Sequence, residues 1–167
     1  MAILAPADGA RSIGPITPAD ARPSAGPVEN GLPAVSLVTL DNEAMQLGSM
    51  LNGRVALVSF WATWCDSCAD EFDALNRLDD RAGQGDAMVV GVAVGEPHEK
   101  VAEFVKRRGL HYPQLVDEDM KLVDALGQDS LPTTLIVNRA GKVVFKGGAL
   151  DARALAAFRA ALAASGG

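Results

Sequence analysis

Between residues 35 and 165 the chain alternates two hydrophobic rhythms. One is a short unbroken apolar run, the signature of a strand buried on both faces. Residues 55–60 and 87–94 have it. The other is the three-to-four spacing of a helix with one apolar face. It runs from about Cys65 to Asp80, with Phe72, Leu75 and Leu78 inward, and Gly83-Gln84-Gly85 breaks it. It recurs from near His98 to Gly109, with Val101, Phe104 and Val105 inward. A last helix is predicted from Asp151, a candidate N-cap, to about Ala164, with Leu155, Phe158 and Leu162 inward. Shorter segments fill the gaps. Residues 35–40 read as a strand before a turn at Asp41-Asn42, 114–116 as a short strand, and 120–126 as a short helix closed by Gly127. Residues 133–137 and 143–146 predict a hairpin across the turn at 138–141. Residues 45–51 are ambiguous between the two rhythms, and Asn52-Gly53 signals a tight turn.

Strands alternating with helices, then a hairpin and a closing helix, predict an α/β fold: a mixed sheet with helices on both faces. The 167 residues, 49% of them hydrophobic, suffice for one core and not for two. Residues 1–33 stand apart. They hold six of the nine prolines, with alanine, glycine and serine between them. That composition favours extended, solvated chain. The expected organisation is a linker or extended segment over 1–33 and one domain over 34–167. No apolar run reaches the roughly 18 residues of a membrane span, and residues 1–5 are too short for a signal-peptide core. The formal net charge is −6. The longest basic stretch, Lys106-Arg107-Arg108, falls at a predicted helix end, where cations complement the dipole. Nucleic acid is therefore not an expected partner. The glycines form no phosphate-binding fingerprint.

The chemistry is concentrated in residues 60–68, Phe-Trp-Ala-Thr-Trp-Cys-Asp-Ser-Cys, which hold both cysteines of the chain. C-x-x-C at a strand-to-helix junction is a redox arrangement. Cys65 falls at the helix N-terminus, where free N–H groups and the dipole favour an anion. Thiolate is the nucleophilic form, so Cys65 is the expected attacking thiol and Cys68, one turn inward, the resolving one. A purely structural disulfide would close a tiny loop and gain little. Zinc needs about four ligands, and only His98 and His111 could complete such a set. Copper(I) on two thiolates is chemically reasonable. No cofactor or metal is expected for the redox reading.

The stretch Phe60-Trp61-Ala62-Thr63-Trp64-Cys65-x-x-Cys68 resembles the thioredoxin superfamily, and more narrowly the TlpA/ResA/CcmG group of bacterial extracytoplasmic thiol-disulfide oxidoreductases. Three further stretches match that group: Glu71-Phe72 after Cys68, the G-V-x-x-x-E segment from Gly91 to Glu96, and Leu131-Pro132-Thr133-Thr134 followed by residues 138–142. The resemblance covers about residues 34 to 165. It implies a thioredoxin fold with an N-terminal strand extension and a strand–helix insertion between about 110 and 127. It implies that Glu71 sits beside the thiols and moves protons, Ser59 occupying the strand position where thioredoxins keep a buried aspartate. It implies a cis Leu131–Pro132 bond opposite the cysteines, with Trp64, Leu131, Pro132 and Thr133 at the substrate surface. Glu96 is expected to border the site and add to an acidic surface. Implied partners are protein disulfides, with apocytochrome c or copper-site assembly proteins as clients, and a membrane thiol donor of the DsbD/CcdA type. A monomer outside the cytoplasm, anchored or secreted by a segment ahead of this sequence, completes the expectation.

Two positions depart from the superfamily pattern. The proline often found before the second cysteine is Ser67, and the helix-bending proline five residues after it is Asp73. Asp66 brings a like charge towards the Cys65 thiolate, which disfavours it. The histidine common in strong oxidants is absent from this spacer. The expected potential is thus on the order of −270 mV, as in thioredoxin, and not −120 mV, as in DsbA. Reduction of client disulfides follows as the expected direction. An oxidant or isomerase on the same fold and a copper(I) metallochaperone are the competing functions.

Overall fold

A computed structural model describes residues 31–82 and 85–166. In chain order the elements are β1 (Ser36–Thr39), β2 (Ala44–Gln46), α1 (Leu47–Leu51), β3 (Val55–Trp61), α2 (Asp66–Ala69), α3 (Phe72–Ala82), β4 (Ala87–Val94), α4 (His98–Arg108), β5 (Gln114–Asp117), α5 (Lys121–Ala125), β6 (Thr133–Val137), β7 (Val143–Gly147) and α6 (Ala152–Gly166). They build one seven-stranded sheet in the order β2-β1-β5-β4-β3-β6-β7. The pairs β3–β4 and β4–β5 are parallel, and the remaining neighbours are antiparallel. This is the expected thioredoxin fold. β1 and β2 form the N-terminal extension, and β5 with α5 the insertion.

The position of each strand explains its hydrophobic pattern. β3 and β4 lie at the centre and every residue in both is buried, which accounts for their unbroken apolar runs. β7 is an edge strand whose residues alternate between half-buried and exposed. Side chains alternate across β3. Val55, Leu57 and Trp61 enter a core with Phe72, Leu75, Val101, Val105 and Phe158. Ala56, Val58 and Phe60 enter the opposite core with Leu47, Leu51, Leu122 and Val123. Thus α3, α4 and α6 cover one face, and α1 and α5 the other. Trp61 is fully buried and meets Phe72 edge-on at 5.3 Å and Phe104 at 5.4 Å between ring centroids. Each such aromatic pair adds about 0.5–1.5 kcal/mol beyond burial. This cluster fixes the strand end that leads to the cysteines.

Three expectations change. The single helix from Cys65 to Asp80 is two helices, α2 and α3. Glu71 N–H bonds to Cys68 O, three residues back, at 3.0 Å, and Leu75 N–H bonds to Glu71 O at 2.9 Å. The backbone tightens and restarts at Asp70-Glu71, without a proline. Residues 45–51 are neither one strand nor one helix but the end of β2 and then α1. Asn52 and Gly53 follow with φ of +47° and +77°, the left-handed conformations that such a pair tolerates. On α6 the fully buried row is Ala154, Phe158 and Ala161, with Leu155 and Leu162 half-buried beside it. Small alanines let the helix approach the sheet closely. Asp151 does cap this helix: its Oδ1 accepts from Ala154 N–H at 3.0 Å. The break at Gly83 and the linker through residue 30 lie outside the described residues. Gly31 already packs on β7, since a Cβ there would stand 2.9 Å from Val143 N. No helix among the described residues is long and apolar enough to cross a membrane.

Candidate active site

β3 ends at Trp61, and four residues carry the chain from the sheet to the start of α2. Cys65 N–H closes this turn on Ala62 O at 3.1 Å, and Cys65 itself is the N-cap of α2. Cys65 and Cys68 are joined in a disulfide, so the structure is of the oxidised protein. Cys65 Sγ accepts a hydrogen bond from Cys68 N–H at 3.2 Å. This is an N-cap interaction with sulfur as acceptor. In the reduced protein the same N–H would face a thiolate, and a hydrogen bond to a charged acceptor is stronger. Cys68 is 1% exposed and Cys65 is 7% exposed. Trp64, immediately before Cys65, is 66% exposed. Cys65 is thus the less buried of the two cysteines. Asp66, Asp70 and Asp73 all point to solvent around α2 and the start of α3.

Glu71 is buried at the tightened turn between α2 and α3, three residues after Cys68. Its Oε2 accepts from Leu150 N–H at 2.6 Å, and its Oε1 has no hydrogen-bond partner among the described residues. Burial pushes its carboxyl above the ordinary range. The Leu150 N–H opposes this, and the nearby charge of Asp70 adds to it. Ser59 is buried on the same face of β3 as Trp61, where it carries no acid to share the task.

Glu96 differs from its expectation. It is 4% exposed and adds little to any acidic surface. Its Oε1 accepts from Thr63 N–H at 2.7 Å, its Oε2 from the Thr63 hydroxyl, and Lys100 Nζ stands 3.0 Å from Oε2. Burial alone would raise its pKa, but these donors outweigh it and hold the carboxyl below its ordinary value. Thr63 is two residues before Cys65, so Glu96 clamps the loop that presents the disulfide. Nothing local marks Thr63 for this role, since its partner lies 33 residues further along the chain.

The Leu131–Pro132 peptide bond is cis. β6 pairs with β3 from Thr133 opposite Phe60, so Leu131 and Pro132 extend past the ladder, at the end of β3 where the cysteines lie. Leu131 and Trp64 line one hollow. Thr133 is buried and its hydroxyl donates to Ser130 O at 2.8 Å, shaping the loop from within. Of the predicted substrate surface, Trp64 and Leu131 line this hollow, while Pro132, Thr133 and Glu96 are buried. His98 links α4 to β1, its Nε2 lying 3.1 Å from the carbonyls of Thr39 and Leu40. Both partners only accept, so Nε2 carries the proton. His111 lies apart, its Nδ1 3.8 and 3.7 Å from Asp79 and Asp80. Neither histidine joins the cysteines as a metal ligand.

Comparison with known proteins agrees with this architecture. The sequence pattern of the Redoxin family matches residues 27–153. The thiol-disulfide oxidoreductase ResA of Bacillus subtilis is 34% identical over 119 residues, which are 70% of this chain and 66% of that protein. The chain spans about half to two thirds of the length of the curated ResA relatives it matches. A thioredoxin-family thiol:disulfide interchange protein from Chlorobium tepidum superposes with a TM-score of 0.66 at 25% identity, covering 78% of this chain and 94% of that one. The structure of MTB dsbF, in mixed oxidized and reduced forms, superposes at 0.65 with 26% identity over 78% and 94%.

Proposed function

The chain belongs to the Redoxin family, and from that premise we propose that it is a thiol-disulfide oxidoreductase that reduces selected protein disulfides. The observation that carries this is the Cys65–Cys68 disulfide at the start of α2, with its more exposed sulfur beside Trp64. In the reduced protein the Cys65 thiolate attacks one sulfur of the client disulfide. A Cys65–client bond forms, the client bond breaks, and the departing client thiolate takes a proton. Glu71 then accepts the proton of Cys68. The Cys68 thiolate attacks Cys65 Sγ, releases the second client thiol and leaves the disulfide seen here. Two electrons pass to the client. Leu131, beyond the β6 ladder, offers its backbone to an extended client segment by strand addition.

Regeneration requires a thiol donor. We assign it to a membrane dithiol protein of the DsbD/CcdA kind and place the protein outside the cytoplasm, on the TlpA/ResA/CcmG resemblance. Apocytochrome c or copper-site assembly proteins are the client classes that resemblance supports. The test is equilibration of the dithiol against glutathione, followed by stopped-flow reduction of a disulfide-bonded protein. A potential near −270 mV, on the order of thioredoxin's, is expected, with fast client reduction. A potential close to about −120 mV would reverse the direction and make the protein an oxidant.

A further inference from the structure

We infer that the groove between α3 and α6 is a docking site for a protein partner, which presents an acidic amphipathic helix to it. Carboxylates of that helix pair with Arg77, Arg81 and Arg159, and an apolar side chain fills the floor between them. Binding here draws nothing from the dithiol and stands apart from the reduction of disulfides.

The groove is two hollows of about 400 Å³ and 160 Å³ that share Leu78, Arg81 and Leu155 in their walls. Its floor is apolar. Leu78 comes from α3, and Leu155, Phe158 and Leu162 come from α6, at the i, i+3 and i+7 positions of one helix face. The leucines are half-buried and Phe158 is buried. Three guanidinium groups stand around this floor: Arg77 and Arg81, one turn apart on α3, and Arg159 on α6. All three residues are exposed.

Their lack of partners sets them apart. Arg107, Arg108, Arg139 and Arg153 each meet a carboxylate. Arg54 donates to the carbonyls of Met50 and Leu51. Arg77, Arg81 and Arg159 have no hydrogen bond or ion pair among the described residues. Every unpartnered arginine of the described residues thus lines this one groove, in a chain whose formal net charge is −6. Asp86 is the acid among the described lining residues, and Arg139 Nη2 already holds its Oδ2 at 3.0 Å. α6 carries no acid. Like charges one turn apart on a helix repel, and an anionic partner would relieve that repulsion between Arg77 and Arg81.

Charge and shape select the occupant. Guanidinium groups match carboxylates and phosphates. A bilayer surface would require apolar side chains that stand out from the protein and enter the interface. The exposed large apolar side chains of the described residues are Trp64, Met120 and Val144, and none of them lines this groove. A recessed apolar floor between cations fits an inserted side chain instead, as in helix-in-groove recognition. Carboxylates one turn apart on the incoming helix are separated by about 6 Å along its axis, the same rise that separates Arg77 from Arg81. Leu150 lines the smaller hollow, and its N–H is the one that Glu71 holds. One end of the groove therefore reaches the segment that holds Glu71, while Cys65 and Trp64 stay outside it.

The test is fluorescence anisotropy of the oxidised full chain with a labelled helical peptide of about four turns, whose leucine face is flanked by glutamates. Two control peptides carry Gln for every Glu, or Ser for every Leu. The Glu/Leu peptide should bind about tenfold more tightly than either control, and should weaken as salt rises from about 0.05 to 0.5 M. The triple variant Arg77→Gln, Arg81→Gln and Arg159→Gln changes exposed positions only. It should lower the affinity by about tenfold, the scale of three solvent-exposed ion pairs, while the urea midpoint does not fall. Absence of binding, equal binding of the Glu and Gln peptides, or unaltered affinity in the triple variant would overturn the docking site. Arginine-dependent binding to vesicles of phosphatidylglycerol and phosphatidylcholine, without peptide binding, would overturn it in favour of a lipid surface. Arginine-dependent dimerisation in sedimentation equilibrium, again without peptide binding, would overturn it in favour of a second copy of the chain.

Discussion

Glu96 and Glu71 are 4% and 6% exposed, yet their carboxylates meet different surroundings. Glu96 receives the Thr63 N–H, the Thr63 hydroxyl and the Lys100 ammonium. Glu71 receives one backbone N–H on Oε2 and nothing on Oε1 among the described residues. Burial opposes ionisation of both. In Glu96 the donors win, and the pKa falls. In Glu71 they lose, and it rises. The donors aimed at a carboxylate, set against how strongly its surroundings desolvate it, decide whether it is a fixed anion or a group that exchanges a proton, and Glu71 has both fewer donors and the stronger desolvation. Glu96 suits a clamp that must hold in every redox state. A raised pKa suits Glu71 to the role proposed for it, a base that gains and releases a proton as Cys68 reacts.

The contrast first requires that the sulfurs have unequal roles. Cys65→Ser should abolish disulfide exchange, because Cys68 is the only other cysteine and is buried. Cys68→Ser should retain attack and accumulate mixed disulfides through Cys65, visible by mass spectrometry after reaction with a disulfide-bonded protein. Trapping through Cys68 in the Cys65→Ser protein would invert the assignment and leave Glu71 beside the wrong thiol.

The next largest effect separates the two acids directly. Glu71→Gln should slow the resolving step by about 10²-fold, the scale of a lost general base, and remove a pH dependence from that step. Glu96→Gln should leave the pH profile of resolution in place. The measurement is release of the second client thiol in stopped flow, across pH. Equal pH profiles for the native protein and Glu71→Gln would remove Glu71 from proton transfer.

How far this contrast could be read from sequence differs between its halves. The central strands, the dithiol and Pro132 were legible, because unbroken apolar runs and the W-C-x-x-C and L-P-T-T stretches carry local signals. Glu71 was marked by the resemblance, in which a glutamate follows the second cysteine at this spacing. Glu96 was placed on an acidic surface, because its partner Thr63 lies 33 residues away and nothing local announces the pairing. The split between α2 and α3 was missed for a related reason. Its apolar face continues at helical spacing across the break, while the change is in one backbone hydrogen bond.

If Glu96 is a clamp, its loss should appear in stability. Glu96→Ala leaves the Thr63 N–H without its acceptor, and should lower unfolding free energy by about 2–3 kcal/mol, the scale of hydrogen bonds to a charged group. Thr63→Val removes only the hydroxyl and should cost less. Denaturant unfolding of the oxidised proteins measures both. A loss under about 0.5 kcal/mol for Glu96→Ala, the size of an ordinary surface change, would show that the loop holds itself without the clamp.

The smallest effect is a difference of sign in the pH dependence of stability. Glu71 has a folded pKa raised above its ordinary value of 4.5. Below that value both states hold the proton, and burial of the carboxyl carries no ionic penalty. As pH rises through 4.5 the unfolded chain releases its proton while the folded one keeps it, so stability falls until the raised pKa is passed. Glu71→Gln does not titrate, so its stability relative to the native protein should grow across that window and then level off. Glu96 is the reverse. Its folded pKa lies below 4.5, so its contribution is present above that value and fades as pH falls through the lowered one. The stability lost in Glu96→Gln should therefore shrink towards acid pH. Taking each variant's difference from the native protein removes groups common to both, including Asp117, whose pKa burial also raises. Urea unfolding of the three oxidised proteins from about pH 3 to 8 reads both differences. Curves that move in the same direction for the two variants would mean that the donors around Glu96 do not overcome its burial, and the distinction between clamp and base would then have to come from position alone.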